Sequence, residues 1–236
     1  MEGYHIILEM FSIFAVTINQ YIMKKISLFF MVIVLACVVQ AQVVKVACVG
    51  NSITYGANIE DREHHSYPFV LSGLLGNGYE VKNFGFSART LLRKGDYPYM
   101  KEKMFKEALA YKPNIVIIKM GTNDSKPQNW KYGNEFEKDL TDMVDSFLCL
   151  TSHPKVYLCR PVPVYETKWG ISNEVISKEI FPIIKKVAKK KHLKLIDLYT
   201  PLSGKEELFP DKIHPNAEGA AIMANVVCKV IKKNKL

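Results

Sequence analysis

No C-x-x-C pair occurs in this sequence. Its five cysteines stand singly, which excludes the usual zinc-ribbon and dithiol redox spacings. Cys48, Cys149, Cys159 and Cys228 each sit in an apolar run and are expected to be buried free thiols; a disulfide remains open, since four cysteines allow three pairings and nothing in their order selects one. Histidine is scarce too, at six in 236 residues. The adjacent pair His64-His65 has no further ligand cluster beside it, so surface histidines are expected, with no metal and no cofactor. Internal repeats and Pro/Gly/Ser-rich linkers are absent, which excludes a solenoid or a string of domains. The formal net charge is +9, carried by lysines that crowd positions 185–194 and 229–235. Those stretches lack the interleaved aromatics that single-stranded nucleic acid requires, so they read as solvated helix faces, and no nucleic-acid partner is expected.

What is present begins with two apolar stretches at the N-terminus. The second has the layout of a secretory signal: Met23, the basic pair Lys24-Lys25, an apolar run from Ile26 to Val39, then Gln40-Ala41-Gln42. Cleavage is expected after Ala41, with Met23 the expected start and residues 1–22 an upstream extension. Residues 1–41 are therefore set apart from a single domain at 42–236, and 236 − 41 = 195 residues suffice for one full core. Export to the periplasm or the exterior follows. An alternative takes Val34-Leu35-Ala36-Cys37 as a lipoprotein box, with Cys37 lipidated and the protein held at a membrane.

Beyond residue 42, β-branched runs alternate with helical patterns. Strands are predicted at Val43 to Val49, Tyr79 to Phe84, Asn114 to Met120, Lys155 to Arg160 and Leu193 to Leu198. Helices are predicted from Phe69 to Leu75, Tyr99 to Tyr111, Asn134 (as N-cap) to about Leu148, Asn173 to Lys191 with a kink or split at Pro182, and Pro215 to Lys232. This alternation predicts an α/β fold: a three-layer α/β/α sandwich with about five parallel strands in an order such as 2-1-3-4-5.

Three polar strings fall at the ends of these elements. Gly50-Asn51-Ser52-Ile53-Thr54 follows the first strand and Gly121-Thr122-Asn123-Asp124 follows the third, and in open α/β sheets ligands bind beyond the carboxyl ends of strands. Asp211-Lys212-Ile213-His214-Pro215 precedes the last helix. Together they offer a nucleophile (Ser52), a general base (His214) and a carboxylate three positions before it (Asp211), which a turn folds back onto Nδ1. The Ser52 N–H, Gly85 and Asn123 are the expected oxyanion donors, with Asp124 bracing the loop. Taken singly, each string is ordinary turn and cap chemistry; their combination carries the inference. The α/β-hydrolase elbow is not matched, because the second glycine of G-x-S-x-G is missing. Arg89, Arg93, Arg160, Trp130 and Trp169 either shape a sugar site or are ordinary loop and packing residues.

The set resembles the SGNH, or GDSL-type, esterase and lipase family in four blocks in order: Gly50-Asn51-Ser52-Ile53, Asn83-Phe84-Gly85, Gly121-Thr122-Asn123-Asp124 and Asp211-Lys212-Ile213-His214. The likeness runs from about Val44 to the C-terminus, with Asn51 standing where many relatives have aspartate. It implies a flavodoxin-like fold, Ser52 as nucleophile, His214 as base oriented by Asp211, and an oxyanion held by Ser52, Gly85 and Asn123. The stretch from Gly121 to Trp130 is similar to exported bacterial esterases that deacetylate carbohydrates, sialate O-acetylesterases among them. The expected activity is thus hydrolysis of short acyl esters, acetyl above all, on sialic acid or plant polysaccharide. Lysophospholipases and thioesterases share the same blocks and form the alternative; an inactive glycan-binding protein is the other.

Overall fold

The structure, a computed structural model, describes residues 3, 10, 14, 16–27 and 43–234. Cleavage after Ala41 and lipidation of Cys37 lie outside the described residues. The chain divides into two units, Met1–Gln42 and Val43–Leu236. In the first, residues 16–27 are helical. Among the described residues no helix is long and apolar enough to cross a membrane.

The second unit is built on five parallel strands: β1 Val44–Gly50, β2 Tyr79–Gly85, β3 Ile115–Lys119, β4 Lys155–Arg160 and β5 Lys194–Asp197. They lie in the order β2-β1-β3-β4-β5, which matches the expected topology. Side chains on a strand alternate between faces, and both faces here are covered, so residues 46–49 of β1 and 115–118 of β3 are unbroken apolar runs. Val46, Cys48, Ile115 and Ile117 pack with Leu71 and Leu75 of the Tyr67–Leu75 helix and with Met223, Ala224 and Val227 of the Ala217–Lys233 helix. Ala47, Val49, Val116 and Ile118 pack on the other face with Phe105 of the Lys103–Ala110 helix, Met143 and Phe147 of the Phe136–Leu148 helix, and Ile184 and Val187 of the Phe181–Lys190 helix. Each fully buried aliphatic side chain contributes about 1.5–3 kcal/mol, which makes these two layers the principal source of stability.

Several predicted boundaries move. Asn134 lies within a 3₁₀ turn, Gly133–Glu135, and caps nothing; the helix starts at Phe136. Pro215 lies outside the last helix, whose cap is Asn216: its Oδ1 accepts the Gly219 N–H at 3.0 Å, the geometry that favours asparagine over other residues at that position. The segment from Tyr99 is a 3₁₀ turn that breaks at Glu102 before the Lys103–Ala110 helix. At Pro182 the split is resolved by a π-helical stretch, Ile176–Ile180, leading into the Phe181–Lys190 helix. Proline has no N–H and clashes with the carbonyl four residues back, and the wider π turn absorbs both faults. Cys48, Cys159 and Cys228 are buried free thiols, whereas Cys149 is exposed just past the Phe136–Leu148 helix.

Candidate active site

β1 and β3 are neighbours, with Gly50 opposite Lys119, so the chain leaves both strands side by side at one edge. Gly50 is needed there: a Cβ would lie 2.1 Å from Thr54 Oγ1 and 2.7 Å from the Lys119 carbonyl oxygen. Asn51 caps the Ser52–Tyr55 helical turn, its Oδ1 accepting the Ile53 N–H at 3.2 Å. Ser52 is thereby the first helical residue, where the backbone N–H has no partner within the helix. After β3, a 3₁₀ turn Asn123–Ser125 holds Asn123 beside it.

The loop before the last helix supplies the other partners. His214 Nε2 lies 2.8 Å from Ser52 Oγ, and its Nδ1 lies 2.6 Å from Asp211 Oδ2. The turn closes through Lys212, which takes a left-handed conformation at φ +71°. Asp211 Oδ1 accepts the N–H groups of Ile213 at 3.0 Å and His214 at 2.7 Å, while Asn58 Nδ2 donates to Oδ2 at 2.8 Å. Burial alone would push the Asp211 carboxyl up; these donors, led by the His214 N–H and ring, outweigh it and hold the group below the usual carboxylate range. An ionised Asp211 only accepts, so Nδ1 carries the proton and the Nε2 lone pair meets the Ser52 hydroxyl. Ser52 and His214 are both buried, at the floor of a cleft of about 260 Å³ also lined by Ala57, Ala88, Asn123, Lys126, Trp169 and Ile171.

Asn123 Nδ2 donates to the Arg89 carbonyl at 3.1 Å, which fixes the carboxamide and leaves its second N–H available. Gly85 does not join it, a correction to the sequence reading. Its N–H donates to Asn83 Oδ1 at 2.8 Å, and a Cβ there would sit 2.2 Å from the Tyr55 nitrogen, so this glycine serves close packing of β2 on the Ser52–Tyr55 turn. The backbone that does line the cleft is at Ala88, held left-handed at φ +65°; among the described residues its N–H has no hydrogen-bond partner. An alanine in this conformation leaves no signal in the sequence.

Lys119 is a second residue the sequence reading missed, although a single lysine closing the apolar run Ile115–Ile118 was visible. Fully buried, its Nζ donates to Asn51 Oδ1 at 3.2 Å and to Thr122 Oγ1 at 3.0 Å, tying the residue before Ser52 to the residue before Asn123. Burial lowers its pKa to about 7. Asp124 Oδ1 accepts the Leu92 N–H at 2.8 Å, and burial, against the hydrogen bonds from Leu92 and its neighbours, raises that carboxyl to about 6.

The remaining candidates separate cleanly. His64 is exposed and pairs with Asp61 at 2.8 Å. Arg89 bonds Glu102, Arg93 pairs with Asp142, Arg160 lies over Phe181 and Tyr199, and Trp130 donates to Glu179. Of the five residues considered for a sugar site, Trp169 is the one that lines the cleft, its ring centroid 6.2 Å from that of His214.

Comparison with known proteins points the same way. Residues 48–222 match the GDSL-like lipase/acylhydrolase family. An acetylxylan esterase from Xylanibacter ruminicola is 45% identical over 207 residues, covering 80% of this chain; the chain spans 43% of that relative's length. Among solved structures, Est24, a carbohydrate acetylesterase from Sinorhizobium meliloti, aligns over 81% of this chain and 100% of its own at 21% identity, with a TM-score of 0.70. An aryl esterase from M. smegmatis aligns over 80% and 99% at 19% identity, also at 0.70. At these identities the structural likeness is one of fold.

Proposed function

Since the chain belongs to the GDSL-like lipase/acylhydrolase family, we propose that it is a serine esterase that removes acetyl groups from O-acetylated carbohydrate. The observation that carries this reading is the hydrogen-bonded chain from Ser52 Oγ through His214 to Asp211, in a relative of a protein named as an acetylxylan esterase. Ser52 Oγ attacks the ester carbonyl as His214 Nε2 takes its proton, and Asp211 stabilises the imidazolium that forms. The tetrahedral oxyanion is met by the Ser52 N–H, the second Asn123 Nδ2 proton and the Ala88 N–H. Collapse expels the sugar alcohol, protonated by His214. Water then gives a proton to the same imidazole and attacks the acetyl-serine carbonyl; the bond from the acyl carbon to Ser52 Oγ breaks, His214 returns the proton to Oγ, and acetate leaves.

Cleft size supports a short acyl group. About 260 Å³ walled by Ala57, Ala88 and Ile171 falls below the range typical of sites for larger ligands. The test is acetate release from acetylated xylan and from O-acetylated sialic acid, together with a series of 4-nitrophenyl esters of rising chain length. Preference for acetyl supports the reading; preference for long chains replaces it with a lipid or thioester hydrolase. Within the same reading, the signal layout at residues 23–42 supports export, and the natural mature protein should begin near Gln42; retention of Met1 contradicts that.

A further inference from the structure

Trp169 sits in a conformation that its side chain does not favour. It and Gly170 have φ of +53° and +78°, and the Ile171 N–H closes the turn onto the Lys168 carbonyl at 3.0 Å. Two left-handed residues at the centre of such a turn are the pattern for which Asn-Gly is preferred, and a bulky aromatic at the first position is a genuine outlier. The turn is nonetheless held firmly: Ile171 is buried, and the Ser172 N–H donates to Ser125 Oγ at 3.0 Å, anchoring it to the loop that carries Asn123. The result is an indole that lines the cleft beside His214 and is 59% exposed, which is unusual for so large an apolar surface. Across the same cleft wall lies Lys126, whose side chain is mostly buried with its ammonium 3.9 Å from Asp96 Oδ2.

We propose that Trp169 and Lys126 form a glycosyl subsite, in which a neutral pyranose ring stacks on the indole and accepts a hydrogen bond from the Lys126 ammonium while its O-acetyl group enters the cleft toward Ser52. A pyranose presents a flat apolar face of C–H groups, complementary to the negative face of an indole, together with equatorial hydroxyls that take a fixed donor. A neutral sugar is specified because the Lys126 charge already has Asp96 as its partner, and an anionic sugar would have to compete with that carboxylate. The local strain is thus retained because it presents the ring to substrate. The proposal rests on the esterase reading above.

The decisive variant is Trp169→Asn, which puts the residue preferred in this turn where the indole was, so the turn is kept while the platform is lost. Wild type and variant are compared by kcat/KM for acetylated xylo-oligosaccharide divided by kcat/KM for 4-nitrophenyl acetate. That ratio should fall about tenfold in Trp169→Asn, mainly through KM for the oligosaccharide, and should be largely restored in Trp169→Phe. Thermal unfolding of Trp169→Asn should occur at or above the wild-type temperature. A ratio within twofold of wild type in Trp169→Asn overturns the subsite, as does a wild type that prefers O-acetylated sialic acid to the neutral oligosaccharide. Failure of the esterase reading itself is distinct: neither ester would then be cleaved by wild type.

Discussion

His214 Nε2 and Ser52 Oγ lie 2.8 Å apart across 162 positions of sequence. Sheet order brings them together. β1 lies inside the sheet between β2 and β3, the turn at its end meets the loop that precedes the last helix, and that helix packs on the same side of the sheet as the Tyr67–Leu75 helix. A proton acceptor for the serine hydroxyl is then in place before any substrate arrives.

Asp211→Asn should lower kcat by about 10³–10⁴ with the fold intact, because the amide no longer enforces the Nδ1–H tautomer. Steady-state kinetics with circular dichroism checks this. The same variant carries a stability signature. Asp211 is held below its ordinary value of 3.8, so it contributes stability above that value, lost as pH falls through the folded pKa. The advantage of wild type over Asp211→Asn in Tm should accordingly shrink in acid.

Asn123→Ala should lower kcat by about 10²–10³ with a smaller change in KM, the scale of one side-chain oxyanion donor. A variant of unchanged kcat removes Asn123 from that role.

Ala88→Gly should raise Tm by about 2 °C and keep kcat at or above wild type, since relief of the left-handed alanine exceeds the added chain entropy by a fraction of a kcal/mol. Ala88→Val should lower both, because a β-branched residue does not tolerate φ +65°. Differential scanning calorimetry and kinetics on the pair decide it.

Lys119→Met tests the buried tie between the two loops. The folded-state pKa of about 7 lies below the ordinary 10.5, so between these values the unfolded chain binds more protons than the folded one. Wild-type stability therefore rises with pH across that window relative to Lys119→Met, and the burial cost of the ammonium is fully present below pH 7. The Tm difference between the two proteins should move by roughly 10 °C in favour of wild type from pH 7 to 10. Loss of the bonds to Asn51 and Thr122 should also lower kcat, by about tenfold. A pH-independent Tm difference would contradict the burial argument.

The strands and the three site strings were legible because their signals are local. β-branched runs of strand length, glycines at their ends, and a carboxylate three residues before a histidine each follow from nearest-neighbour chemistry. Asn134 and Asn216 show where that logic stops. Both are good caps, yet one lies within a 3₁₀ turn and the other caps a helix, a choice made by the surrounding packing. Gly85 was misassigned for a similar reason: a glycine after a strand reads as a backbone donor, whereas here it makes room for Tyr55. Ala88 and Lys119 went unnoticed because a left-handed alanine and a buried lysine are defined by long-range contacts.

Acetate release from acetylated xylan by wild type and by Ser52→Ala, each also exposed to a fluorophosphonate probe, decides whether Ser52 is the nucleophile. Wild type should release acetate steadily and become covalently labelled, whereas Ser52→Ala should release it about 10⁵-fold or more slowly and take no label. Equal acetate release by the two proteins would contradict that role for Ser52.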